Sequence, residues 1–313
     1  MTEDRPEIFV LAGVTAVGKT AFSLDWAERA GAEILSCDAL LFYRGMDVGT
    51  AKPTAEERGR VPHHGIDLVD VREPFDVVRY VNYAKEKVEE IHGRGKRVLV
   101  VGGSGFYLKS FFAPVADEVA VPEAVRSEVR ELEQSEGTEG MVKRLRELNA
   151  ELPESLDLLN PRRVSRALER CLAGGETLLD LERRFRELPG PFDSHCKRLC
   201  LLSREPEDVE ERIRIRTRKM IQGGLVEETE ALVAEGLRDN PSASRAVGYR
   251  ETLSMLDGEL PREELADAIS RSTLQLAAKQ RKWFRKQLSA DLELLAGRGE
   301  GFSTDDFPLV PKT

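Results

Sequence analysis

Hydrophobic positions along the chain fall into two textures. Residues 8–12 (IFVLA) form a short apolar run that passes straight into glycine-rich sequence, the way a buried parallel strand opens. Residues 20–30 (TAFSLDWAERA) place apolar side chains at helical spacing, and 32–37 (AEILSC) reads as a second strand. A helical stretch over 79–94 leads into a third strand, RVLVVGG at 97–103. Strands alternating with helices predict right-handed crossovers and a parallel sheet. A further run, LCLL at 199–202, is available to extend that sheet. Between about 115 and 190 the pattern is helical throughout, which reads as an insertion. Helical spacing returns over 206–222, 226–236, 261–271 and 272–288, and the polar tail after 296 reads as loosely held.

Composition narrows the class. The chain has 313 residues, 41% of them hydrophobic, enough to bury a substantial core, so disorder is excluded as the main reading. Lys plus Arg is 47 against 56 Asp plus Glu, a net charge of −9, so any contact with nucleic acid requires local segregation of basic residues. No apolar run approaches a bilayer span, and the opening MTEDRPE is too acidic for a secretory signal. Four cysteines (Cys37, Cys171, Cys196 and Cys200) are too few for a disulfide scaffold and suit a reducing cytoplasm. His195, Cys196 and Cys200 lack a fourth ligand at the usual spacing, so no zinc site is expected.

The first chemistry appears at residues 13–20, GVTAVGKT, a phosphate-binding loop of Gly13, Val14, Thr15, Ala16, Val17, Gly18, Lys19 and Thr20. Its glycines let backbone N–H groups turn toward phosphate oxygens, and the following helix adds its positive end. Lys19 supplies a mobile cation and Thr20 a hydroxyl for Mg²⁺. The preceding strand and following helix are the context such a loop requires. The expected fold class is therefore α/β: a P-loop NTPase-like parallel sheet flanked by helices, with a helical insertion domain. Residues 1–114 and 193–296 form the two parts of the core, 115–192 the insertion and 297–313 the tail. At the end of the second strand stands Asp38, on the side of a parallel sheet where ligands bind. A carboxylate there is placed to orient a nucleophile or take its proton; capping a helix or backing a Mg²⁺ shell are the plainer alternatives.

The residues around Asp38 carry a resemblance. YRGMDVGTAKP at 43–53, VPHHGIDLVD at 61–70, VGGSGFYLK at 101–109, NPRRVSRALE from 160, RAVGYRE at 245–251 and KQRKWFRK at 279–286 follow GVTAVGKT in order. Together they resemble the tRNA dimethylallyltransferases, also called tRNA isopentenyltransferases, over nearly the whole chain. The resemblance implies transfer of a dimethylallyl group from dimethylallyl diphosphate to N6 of the adenosine immediately 3′ of the anticodon, with release of diphosphate. It implies a prenyl diphosphate rather than ATP on the loop, held by Gly18, Lys19 and Thr20 with Mg²⁺ and by Arg216. It assigns Asp38 to the exocyclic amine, and Asp38, Ala39, Leu40, Leu41, Ser104, Arg126, Arg162, Arg163 and Arg166 to tRNA. The implied partner is the anticodon stem-loop, and the expected protein is a monomeric cytoplasmic enzyme.

Charge segregation fits this. Arg162, Arg163 and Arg166 share one helix face. The stretches 212–219 and 269–290 carry Arg and Lys without a single acid. A base to be modified must leave its stack, so a pocket for an extruded adenine is expected. Trp283 and Phe284, at helical spacing, are expected in the core, and His63 and His64 are expected to order their loop rather than bind metal. The sequence departs from the family where Ala39 replaces a serine, Leu41 and Arg162 replace glutamines and Val14 replaces a proline. The donor side is nearly intact while the tRNA side is altered, which suggests a divergent copy with changed tRNA preference. Three other readings stand beside this one: an adenylate prenyltransferase, a P-loop kinase, and a non-catalytic RNA-binding paralogue.

Overall fold

The structure, a computed structural model, describes residues 5–116 and 119–307. It divides into two compact units: one holds the chain up to Ala113 and from Pro191 onward, the other Pro114–Gly190.

The first unit is built on a parallel six-stranded sheet: β1 (Glu7–Gly13), β2 (Ala32–Ser36), β3 (His63–His64), β4 (Arg97–Gly102), β5 (Cys196–Arg204) and β6 (Leu292–Ala296), in the order β3-β2-β4-β1-β5-β6. β1 is central, with Val10 opposite both Val100 and Leu199. Ile8 through Ala12 are fully buried, the continuous apolar run that a strand covered on both faces demands. The run at 199–202 is the middle of the longer strand β5. β6 is an edge strand absent from the sequence reading: its LELLA is short, contains an acid, and is buried on one side only.

Helices cover the sheet. α1 (Lys19–Ala30) starts from Gly18 at φ 113° and stops at Gly31 at φ 62°, both left-handed positions open to glycine. α2 (Ala55–Arg60) opens with a capping box in which the Thr54 hydroxyl accepts the Glu57 N–H and the Glu57 carboxylate accepts the Thr54 N–H. α3 (Val77–Gly93) leads into β4, and α4 (Gly105–Lys109) follows it.

The second unit is helical: α5 (Glu123–Leu148), interrupted at Gly137, α6 (Pro161–Gly174) and α7 (Leu178–Glu187). Val129, Met141, Leu145, Val164, Leu168 and Leu181 form its own core. Buried Asn149 donates to the Leu145 carbonyl at 2.8 Å and accepts the Leu178 N–H at 2.7 Å, satisfying an otherwise orphaned helix end. Arg126, Arg162, Arg163 and Arg166 are exposed on this unit, Arg166 paired with Glu169 at 3.2 Å.

Back in the first unit come α8 (Pro206–Gln222), α9 (Leu225–Ala234), α10 (Pro241–Ser244), α11 (Tyr249–Leu256) and α12 (Leu265–Gln287). The break expected between 271 and 272 is not there. No glycine or proline interrupts Arg271–Ser272, and α12 runs through as one helix. The described part of the tail also departs from expectation. Phe307 is buried, its ring 5.3 Å from that of Trp26, whose indole N–H donates to the Phe307 carbonyl at 2.8 Å. Phe302 packs edge-on to Phe22. Two aromatic anchors outweigh the polar composition around them; residues 308–313 lie outside the described residues.

Candidate active site

The turn between β1 and α1 is shaped from outside. A Cβ on Gly13 would lie 2.9 Å from the Leu202 carbonyl, so only glycine fits against β5. Ala16 adopts φ 62° despite its side chain. Its carbonyl accepts from Arg212 Nε at 2.8 Å, and the Val17 carbonyl accepts from Arg204 Nε at 2.7 Å. Arg204 is itself buried, paired with Asp208 at 2.8 Å and donating to the carbonyls of Gly297 and Glu300. Lys19 Nζ donates to the carbonyls of Gly13 and Val14 at 2.8 and 2.9 Å. Burial lowers the Lys19 pKa to about 8, with the Asp38 carboxylate pulling the other way and Arg216 adding a smaller lowering.

Asp38 stands two residues beyond β2. Its Oδ1 accepts the Leu40 N–H at 3.2 Å, and the neighbouring Ala39 N–H donates to Ser104 Oγ at 3.1 Å. This joins the ends of β2 and β4, whose approach is so close that a Cβ on Gly102 would fall 2.2 Å from the Cys37 carbonyl. Arg216, on α8, donates to the Thr50 carbonyl at 3.0 Å. Burial lowers its pKa and the Asp38 carboxylate opposes this.

Two cavities meet at these residues. One, of 740 Å³, is walled by the loop, including Gly18, Lys19 and Thr20, and by Leu41 and Arg212. The other, of 570 Å³, has an apolar lining that includes Phe106, Ile213, Val247, Trp283 and Phe284. Thr15, Asp38, Thr50, Gly103, Arg216 and Gln280 belong to both walls. A carboxylate and a guanidinium thus stand in the wall shared by the loop cavity and the apolar one. Such a junction suits a reaction between an anionic reagent with an apolar tail and a second, flat reactant.

The YRGMDVGTAKP segment shapes the wall rather than contributing many groups to it. Lys52 is buried, and its Nζ reaches the Tyr43 carbonyl at 2.9 Å, Asp67 at 2.6 Å and Asp47 at 2.5 Å. The Glu228 carboxylate accepts the N–H groups of Asp47, Val48 and Gly49 at 3.0, 2.6 and 3.0 Å and the Tyr249 hydroxyl at 2.6 Å. A Cβ on Gly49 would lie 2.5 Å from the Tyr249 ring. This scaffold fixes Thr50, and Thr50 holds Arg216.

Asp38, Leu40, Leu41, Ser104, Arg216 and the exposed Thr20 all reach a cavity wall. Ala39 contributes its N–H while its side chain packs on the core. Val14 and Val17 are buried behind the loop. Arg126, Arg162, Arg163 and Arg166 belong to the second unit. Two expectations need correction. Phe284 is buried as expected, but Trp283 is a cavity-wall residue whose ring crosses the backbone at Gly105, where a Cβ would meet it at 2.5 Å. The basic stretch 212–219 is not one surface: Arg212 supports the loop, Arg216 enters the cavity, and Arg214 pairs with Glu210 and Asp267. Gln280, which lies in the KQRKWFRK segment but received no role from the sequence, accepts the Thr15 N–H and donates to the Gly103 carbonyl, both at 2.9 Å.

His64 pairs with Glu33 at 2.6 Å, and His63 bonds the Val61 carbonyl. Among the described residues no three His, Cys, Asp or Glu side chains converge to hold a metal. Cys196 is exposed, and burial pushes the Cys200 thiol up to about 12.

Residues 41–287 match the model of the IPPT family, IPP transferase. The chain belongs to the IPP transferase family. Within that family it is 54% identical to the tRNA dimethylallyltransferase of Opitutus terrae over 91% of this chain and 92% of that one. It is 36% identical to the tRNA dimethylallyltransferase of Exiguobacterium over 90% and 88%. The fold matches the tRNA isopentenylpyrophosphate transferase of Bacillus halodurans at a TM-score of 0.68 and 31% identity, covering 95% and 92% of the two chains. A eukaryotic dimethylallyltransferase acting on tRNA has the same fold at a TM-score of 0.80 and 24% identity, over 94% of this chain and 74% of that one. No described helix of this IPP transferase family member is long and apolar enough to cross a membrane.

Proposed function

We propose that this protein is a tRNA dimethylallyltransferase: it transfers a dimethylallyl group from dimethylallyl diphosphate to an adenosine N6 in tRNA. The observation that carries this reading is the placement of Asp38 and Arg216 where the loop cavity joins the apolar cavity. The diphosphate lies on the loop against Lys19 and Arg216, and the branched five-carbon chain points into apolar surroundings. The adenine N6 approaches the terminal allylic carbon beside Asp38. A new N–C bond forms as the C–O bond breaks, the electron pair leaves with diphosphate, and the amine proton passes to the Asp38 carboxylate. Lys19 leaves the Gly13 and Val14 carbonyls for the phosphate oxygens, whose charge raises its pKa again.

Mg²⁺ fits this site only as an ion carried with the diphosphate. Thr20 is exposed on the loop cavity, and no carboxylate cluster offers further ligands among the described residues. Thr20 would hold the ion together with diphosphate oxygens, and the ion supplies charge neutralisation to the leaving group. The acceptor is the adenosine immediately 3′ of the anticodon, extruded from the stem-loop into the cavity junction. Leu40, Leu41 and Ser104 line its approach, and the exposed Arg126, Arg162, Arg163 and Arg166 hold the phosphate backbone. The enzyme works as a cytoplasmic monomer.

The kinase alternative requires ATP on the loop. Incubation of the purified protein with radiolabelled dimethylallyl diphosphate and unmodified tRNA separates them. Label in tRNA supports the prenyltransferase, whereas phosphoryl transfer from ATP with no labelled tRNA overturns it.

A further inference from the structure

We infer that Arg212 is a second diphosphate-binding arginine, gripping the phosphate of the donor that lies farther from the transferred carbon. This rests on the donor reading above and adds a residue to it. Arg212 and Arg216 are four residues apart on α8, hence on one helix face, and both line the loop cavity. Their bonds divide the labour. Arg216 reaches the Thr50 carbonyl beside Asp38, at the cavity junction. Arg212 is half-buried at the loop itself. Its Nε is spent on the Ala16 carbonyl at 2.8 Å. Its Nη2 lies 3.6 Å from where a Cβ on Gly18 would stand, directly beside the start of α1.

The charge around it is only partly compensated. Among the described residues Arg212 forms no ion pair with a carboxylate. The loop cavity carries Lys19, Arg212, Arg216 and Lys219 against Asp38 and Glu57. Like charges four apart on a helix repel, and here they stand beside a third cation in a crowded cavity. An anion with two separated charged centres relieves all three. A single phosphate reaches Lys19 and Arg216 at the junction, whereas the second phosphate of a diphosphate falls under Gly18, within the fork that Arg212 presents through its free Nη groups. Arg212 therefore distinguishes a diphosphate from a monophosphate.

A merely structural Arg212, propping the Ala16 carbonyl, would affect both anions alike, so the test compares them. Calorimetric binding of inorganic diphosphate and of dimethylallyl monophosphate, each with Mg²⁺, is measured on the full-length wild type, Arg212→Ala and Arg212→Lys. The expected result is at least a tenfold loss of diphosphate affinity in Arg212→Ala, less than a twofold loss for the monophosphate, and recovery of most of the diphosphate affinity in Arg212→Lys. Equal weakening of the two anions, or no weakening of either, overturns the inference. Should Arg212→Ala fail to fold, the same comparison on Arg212→Gln decides it by the same criterion. A wild type that neither binds diphosphate nor prenylates tRNA instead overturns the donor reading itself.

Discussion

The side-chain oxygen of Gln280 accepts the backbone N–H of Thr15 at 2.9 Å, although 265 residues separate them. The other end of the same amide donates to the Gly103 carbonyl. One planar group thus ties the phosphate loop to the β4–α4 turn, and it does so in the wall common to both cavities. Replacing Gln280 with Ala frees both partners. We expect donor KM to rise about tenfold through the two lost hydrogen bonds at a positioned site. Gln280→Glu keeps the acceptor for Thr15 but sets a carboxylate against the Gly103 carbonyl and near the diphosphate, so its donor KM rises further. Steady-state kinetics with each substrate varied in turn checks both. An unchanged donor KM in the two variants contradicts the role.

Lys19 gives a pH signature with a definite sign. Its pKa in the donor-free protein is lowered to about 8 from the usual 10.5, chiefly by burial. A lysine with a depressed folded-state pKa weakens the fold in full below that pKa, and the cost disappears as pH rises toward the unfolded value. Lys19→Met removes this dependence, so wild type should gain stability relative to the variant as pH rises from 8 to 10.5. Thermal melting across that range reads this directly. Donor binding moves oppositely: wild-type affinity for dimethylallyl diphosphate should fall above pH 8, as the ammonium is lost, and Lys19→Arg should flatten the profile.

The Glu228 carboxylate collects three consecutive N–H groups and the Tyr249 hydroxyl, and so fixes the segment that presents Thr50 to Arg216. Glu228→Gln removes the charge and one acceptor. It should cost about 1–3 kcal/mol of stability through the unsatisfied donors. It should also raise donor KM more than tRNA KM. Chemical denaturation and paired kinetics check the two effects separately.

Tail packing predicts a larger stability effect. Phe307 fills a buried site against Trp26 and Phe9. Phe307→Ala should destabilise by about 3–5 kcal/mol, the usual range for a core phenylalanine. A loss below about 1 kcal/mol in urea unfolding would mean that the tail contributes little to the core.

What was legible in the sequence was what chemistry writes locally. The strand–loop–helix around GVTAVGKT, the alternation behind the parallel sheet and the position of Asp38 all follow from runs of neighbouring residues. What was illegible depends on partners far apart in sequence. Gln280 sits in the basic KQRKWFRK segment, whose composition gives it no role, and its contacts are visible only once α12 lies beside the loop. Trp283 occupies the same face spacing as a core residue, and only the bare backbone at Gly105 lets its ring reach the cavity. The YRGMDVGTAKP segment carries part of the family resemblance, yet its buried Lys52 works on Asp47, Asp67 and the Tyr43 carbonyl, a role in shape that its charged character does not reveal. β6 escaped because an edge strand needs only one apolar face.

The central claim is that Asp38, at the meeting of the two cavities, serves attack by an adenine amine on a prenyl carbon. Its most direct test is mass spectrometry of nucleosides from unmodified tRNA incubated with dimethylallyl diphosphate and either wild type or Asp38→Asn. The account predicts N6-dimethylallyladenosine with the wild type, and a rate lower by about 10²–10⁴ in the variant, with donor binding retained. A wild type that yields no prenylated adenosine, or an Asp38→Asn variant as fast as wild type, contradicts it.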